Sequence, residues 1–191
     1  MWLNNPVTNT VLLIAGIVLW YAAHLFKRLA PKIRESLGER GKGLVTLALV
    51  VSVILMVVGY RGMEPVYLWH PPLWLVQVNN LMVLVAIFMM SPASKKGALL
   101  AGMRHPMLVG LLLWAIAHIL ANGEVAAVIL FGGLGIWAGV EIMVINRAEP
   151  DWQPGQKGTI AKDGLFFIAS LVLLVIVGYI HGLIGPSPFL S

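Results

Sequence analysis

The stretch KRLAPKIRESLGERGKGLVTLALVVSVILMVVGY, Lys27 to Tyr60, decides the fold. Its first half carries Lys27, Arg28, Lys32, Arg34, Arg40 and Lys42, and its second half, from Leu44 onward, holds no charged residue. A hydrocarbon core of ~30 Å takes about 20 residues of helix, so the second half is close to a full membrane crossing. A dense basic loop next to such a run marks the cytoplasmic end of a spanning helix. Five more runs of the same kind follow or precede it: Thr10–Phe26, Pro72–Met90, Met107–Ala121, Val125–Ile145 and Gly164–Ile184. The shorter runs can borrow a turn from their flanks or sit in a thinned bilayer.

The charges between the runs set the orientation. Loop 91–106 carries Lys95, Lys96 and Arg104, and loop 146–163 carries Arg147, Lys157 and Lys162. With the six of loop 27–43, twelve of the thirteen Lys and Arg fall on one side, and Arg61 falls on the other. The positive-inside rule then predicts an all-α polytopic membrane protein, a bundle of six transmembrane helices with both termini outside the cytoplasm. We read residues 1–191 as a single transmembrane domain of a bacterial inner (cytoplasmic) membrane, in contact with the lipid bilayer.

Composition agrees. Apolar residues make up 59% and charged residues 11%, against about 25% charged in a soluble domain. The sequence pI near 9.8 reflects loops facing an anionic leaflet, so no nucleic-acid partner is expected. No cysteine is present, which excludes disulfides, thiolate metal sites and cysteine nucleophiles. The leading residues MWLNNPVTN lack Lys and Arg, so the first run reads as an anchor and not as a secretory signal.

Local signals fill in the connections. Loop 27–43 is expected to form a short basic interfacial helix, and loop 146–163, with EPDWQPGQKG, to be irregular. Pro106 falls in the first turn of the fourth helix, where its missing N–H is harmless. Asn122-Gly123 marks a tight turn between the fourth and fifth helices. On the fifth, Gly135 and Gly139 form a small-xxx-small spacing suited to intramolecular packing, or to an oligomer.

Ionisable groups within spanning segments are costly and usually face the bundle interior. By depth, His24 and His105 lie near the cytoplasmic face, and His70, His118 and His181 near the outer face. Glu141, about one turn from the cytoplasmic end of the fifth helix, needs a partner; Arg104, His105 and His24 are the candidates. Gln77, Asn79 and Asn80 read as interhelical hydrogen-bonding groups. Histidines in an apolar setting suit haem b, which takes one or two neutral imidazoles and an apolar pocket; structural or proton-handling histidines are the alternatives. His24 and His118 differ by about 14 residues in depth, roughly 20 Å, too far for one iron. Depth therefore pairs His24 with His105 as metal ligands, and His118 with His181.

The stretch RHPMLVGLLLWAIAHILANGE, Arg104 to Glu124, resembles the signature of the NnrU family through Arg104-His105-Pro106, Gly110, Trp114, His118 and Asn122-Gly123. His24, the length and the helix count fit the same family, and the resemblance covers essentially the whole chain. It implies a link to denitrification and nitric oxide metabolism. A relative, 15-cis-zeta-carotene isomerase, is a haem b protein, and the histidines resembling His24 and His118 are its proposed iron ligands. A redox or isomerase role is thus implied. Arg104-His105-Pro106 and Gly110 also resemble membrane methyltransferases of the isoprenylcysteine carboxyl type, with Leu108 in place of their tyrosine. That resemblance implies a cytoplasm-facing S-adenosylmethionine site at Arg104, His105 and Glu141.

Three readings follow. The first is a haem b protein with a small hydrophobic or redox ligand, its cofactor held by residues among His24, His105, His118, His181, Arg104 and Glu141. The second is a methyltransferase-like enzyme, and the third a non-catalytic accessory factor whose histidines only pack.

Overall fold

Every apolar run becomes a helix in the computed structural model, which describes residues 5–189. The helices are α1 (Pro6–Leu29), α2 (Pro31–Ser36), α3 (Gly38–Gly62), α4 (Trp74–Met90), α5 (Ala93–Lys96), α6 (Pro106–Ala121), α7 (Val125–Ala148) and α8 (Ile160–Ile184). Among the described residues there is no strand, and a single isolated bridge joins Tyr67 to Glu124. Residues 1–4 and 190–191 lie outside the described residues.

Four helices, α1, α3, α7 and α8, are long and apolar enough to cross a membrane; α4 and α6 are shorter apolar helices. On α8 the exposed residues include Val172, Val175, Ile176 and Ile180. A row of apolar side chains facing outward along a whole helix has no place in water, because soluble surfaces rarely carry large contiguous apolar patches. The chain is therefore an integral membrane protein in contact with the bilayer.

Helix ends follow local chemistry. Asn5 caps α1 by accepting from the Val7 N–H at 2.9 Å, and Lys27 and Arg28 sit in its last turn, where cations suit the helix dipole. Pro31 ends α1 and opens α2, the expected short basic helix, now bounded at six residues. Gly38 then turns the chain into α3 with φ of 50°, a left-handed conformation that favours glycine. Pro106 occupies the first turn of α6 as expected. Residues 149–159 contain no helix, in keeping with the irregular loop.

By contacts the chain divides into two compact units: residues 1–69 with 123–137, and residues 70–122 with 138–191. In the first unit α1 and α3 run antiparallel at backbone contact. A Cβ on Gly16 would lie 2.8 Å from the Ser52 carbonyl oxygen, and one on Gly59 would meet the backbone at Leu13 and Asn9. Asn9, 1% exposed, donates to the Gly62 carbonyl at 2.6 Å, as an interhelical amide does in hydrocarbon. The N-terminal part of α7 lies on α1 through Gly133, against Ile17, and the Tyr21 hydroxyl donates to the Gly133 carbonyl at 2.7 Å. Residues 66–69 pair with 123–125: Leu68 N–H donates to Gly123 at 2.7 Å and Val125 N–H to Val66 at 2.9 Å.

In the second unit α4 packs on α6 and α8. Gly110 brings α6 onto the α4 backbone at Ala86, and Phe88 meets Phe167 edge-on with centroids 6.1 Å apart. Asn80 donates to the Pro188 carbonyl at 2.9 Å, so the amide read as interhelical instead ties α4 to the segment after α8. Asp163, in the first turn of α8 and 2% exposed, accepts from the Ala98 and Leu99 N–H groups at 2.7 and 3.1 Å. Gly158 N–H adds a bond to the Gly97 carbonyl at 3.0 Å, so loop 91–106 is tied to loop 146–163.

Candidate functional site

In the first unit an aromatic cluster forms around His24, near the end of α1. The ring lies 4.2 Å from Trp20 and 4.5 Å from Trp137, centroid to centroid. The two indoles meet edge-on at 5.4 Å. Trp20 is one helical turn before His24, so their stacking follows from helical spacing. His24 Nδ1 lies 3.0 Å from the Trp20 carbonyl oxygen. A carbonyl only accepts, so Nδ1 carries a proton, and in the neutral ring Nε2 is the nitrogen with the lone pair. This is the arrangement that orients metal-ligating imidazoles. Both indole Nε1–H groups, of Trp20 and Trp137, are buried without an acceptor. Buried donors normally have partners, and neither indole N–H has one here.

His24 also lines a recess of about 330 Å³ together with Ala23, Lys27, Arg34, Lys42, Val45 and Thr46. The volume falls at the lower end of the ~300–1,000 Å³ typical of small-molecule sites. Its walls combine apolar Ala23 and Val45 with cations, a composition suited to an amphipathic, anionic ligand.

The second unit holds the other sequence-selected residues. His105 Nε2 lies 2.8 Å from Asn146 Oδ1. Arg104 donates to the Glu149 carbonyl, and its guanidinium sits 5.8 Å from the centroid of the Trp152 ring. The Arg-His-Pro motif thus clamps the start of α6 to the end of α7 and the loop beyond it. Neither residue pairs with Glu141, whose Oε2 is buried without a hydrogen-bond partner. His118 Nδ1 lies 2.9 Å from the Trp114 carbonyl oxygen, with ring centroids 4.7 Å apart. His181 Nδ1 lies 2.7 Å from the Pro186 carbonyl oxygen, and His118 and His181 are close enough to interact electrostatically. Gly139, half of the proposed small-residue spacing, meets no other part of the chain within 4 Å. Among the described residues no three His, Asp or Glu side chains gather as a metal site.

The family model for NnrU, described as NnrU protein, matches residues 12–188. The chain belongs to the NnrU family. No curated protein and no solved structure matches it. In this NnrU protein the family match includes both His24 and the fourth-run motif, so the clamp and the aromatic cluster fall within the matched region.

One feature escaped the sequence reading. Trp20-Tyr-Ala-Ala-His24 and Trp114-Ala-Ile-Ala-His118 share the pattern Trp-x-x-Ala-His. The two copies share a geometry as well, each His Nδ1 facing the carbonyl of the Trp one turn back. A search for five-residue repeats would have found this signal. Trp137 carries no such signal, because only the packing of α7 on α1 brings it to His24.

Proposed function

We propose that this NnrU protein binds haem b in the first unit, with His24 as the residue that would hold it and a redox role for the cofactor. The observation that carries this is the His24 imidazole: Nδ1 is held by the Trp20 carbonyl, so that the neutral ring would offer Nε2 as its lone pair, and the ring sits against two indoles. The residues fit the group in other respects. Trp20 and Trp137 offer π-faces beside the imidazole, with ring centroids 4.2 and 4.5 Å away. Haem supplies one-electron chemistry and small-ligand binding when held by such a site. The chain's own part is to orient the imidazole through the Trp20 carbonyl and to shield it with indole rings. Arg104 and His105 already bond Glu149 and Asn146, which favours His24 over the Arg-His-Pro motif as the anchor. A place in nitric oxide metabolism, implied by the family resemblance, belongs with this reading.

The same proposal includes topology: six spans, with α4 and α6 crossing beside the four longer helices, both termini outside and the basic loops in the cytoplasm of an inner membrane. The charge asymmetry supports it. The test of the site is haem content after purification from haem-supplemented cells, for the wild type and for single alanine variants of His24, His105, His118 and His181. His24→Ala should lose haem. Loss confined to His118→Ala or His181→Ala would move the site to the second unit and overturn the assignment.

A further inference from the structure

We infer that the recess at the joined ends of α1, α2 and α3 is a site for a phosphate group, with the headgroup of an anionic phospholipid as its source. The inference stands apart from haem, since it uses Lys27, Arg34 and the turn at Gly38 and Gly41, not the His24 lone pair. Three observations carry it.

First, Arg34 is positioned, not merely exposed. Its Nη1 donates to the Gly38 carbonyl at 3.0 Å, and the left-handed turn at Gly38 folds α2 back along α3. A Cβ on Gly41 would stand 2.7 Å from Arg34 Nη1, so glycine there is what lets the guanidinium lie across the helix. Second, the recess gathers Arg34 with Lys27 and Lys42 and with the Thr46 hydroxyl beside apolar Ala23 and Val45. Lys42 is paired with Glu39 at 2.7 Å, which leaves Lys27 and Arg34 as the cations for a ligand. Third, α1 and α3 are both long and apolar enough to cross the membrane, and Lys27 and Lys42 flank their apolar runs. The recess therefore opens at the depth of the headgroups, where basic pockets between spanning helices recruit anionic lipid. Guanidinium geometry matches phosphate oxygens through paired N–H groups.

The experiment is native mass spectrometry of the full chain in detergent, titrated with phosphatidylglycerol, with phosphatidylcholine and with inorganic phosphate. Phosphatidylglycerol should bind in preference to phosphatidylcholine. Lys27→Gln and Arg34→Gln should each weaken it about five-fold, the equivalent of about 1 kcal/mol per cation near a membrane surface. Gly41→Ala, which alters no charge, should weaken it too by displacing the guanidinium. Lys95→Gln with Lys96→Gln, in another basic loop, should leave binding unchanged. Binding of inorganic phosphate that depends on Arg34, with no lipid preference, would support the phosphate site and name free phosphate as its source. Equal losses in the Lys95/Lys96 control, or no loss in Arg34→Gln and Gly41→Ala, would overturn the inference.

Discussion

Replacing Asp163 by alanine should be among the most destabilising changes in the second unit. The carboxylate is 2% exposed and accepts from two backbone amides, at 2.7 Å from Ala98 and 3.1 Å from Leu99. Hydrogen bonds to a charged acceptor contribute about 1.5–3 kcal/mol each, and an anion in the first turn of α8 adds about 0.3–1 kcal/mol through the helix dipole. Two terms offset this. Leu99 is 69% exposed, so water can satisfy its amide once the carboxylate is gone. Asp163 Oδ1 is also buried without a partner, and removing it relieves a desolvation cost. The net loss is about 2–4 kcal/mol. Asp163→Asn, which keeps an acceptor but not the charge, should lose about half as much. Reversible denaturant unfolding in micelles, with amide exchange read at Ala98 and Leu99, checks both values. A loss below about 1 kcal/mol with unchanged exchange at Ala98 would refute the view that this carboxylate ties the two loops together.

Other expectations follow from the same contacts. Gly59→Ala drives a methyl into the α1 backbone at Leu13 and should cost about 1–3 kcal/mol by overpacking, measurable in the same unfolding assay, whereas Gly139→Ala meets open space and should be near neutral. The hydrogen bond to Glu124 and the negative charge of that carboxylate, with some burial, raise the Tyr67 phenol above its ordinary value of 10.0. This pair therefore stabilises the fold fully below pH 10.0 and ceases to do so as pH rises through the raised folded value. A tyrosinate absorbance titration with Tyr21, Tyr60 and Tyr179 replaced by Phe should show the Tyr67 phenol returning toward 10.0 in Glu124→Gln; an unchanged curve would contradict it. Because the chain has no cysteine, single cysteines report topology cleanly: Ser36→Cys should react only with reagents that reach the cytoplasm, and Ser187→Cys with impermeant reagent added outside.

Much of this architecture was legible in the sequence, because bilayer thickness and loop charge act through composition alone. Five of the six apolar runs fall within α1, α3, α6, α7 and α8, the sixth, Pro72–Met90, starts two residues ahead of α4, and Pro106 sits in the first turn of α6 as read. What could not be read was which small residues meet. Gly135 and Gly139 have the recognised spacing, yet the close approaches between α1 and α3 are made at Gly16, Gly59 and Gly62, since a contact needs a partner helix as well as a small residue. Asn122-Gly123 reads as a turn, but Gly123 also lies against the Trp69 carbonyl in a pairing between segments far apart in sequence. The site divides the same way. His24 was visible as a polar group in an apolar run, whereas its indole neighbour Trp137 depended on tertiary packing. Glu141 was expected to find Arg104, His105 or His24; Arg104 instead bonds Glu149 in the loop after α7, and His105 bonds Asn146 in the last turn of α7.

The central claim is that His24 presents Nε2 to haem iron, and ligand rescue tests it most directly. His24→Gly removes the imidazole and keeps the rest of the cluster. Oxidised and dithionite-reduced absorption spectra would be recorded for the wild type, and for His24→Gly with and without added imidazole. The account predicts a Soret band with sharp reduced bands in the wild type, their loss in His24→Gly, and their return when imidazole enters the space left behind. A colourless wild type after expression with excess haem, or a spectrum that His24→Gly leaves unchanged, would contradict it.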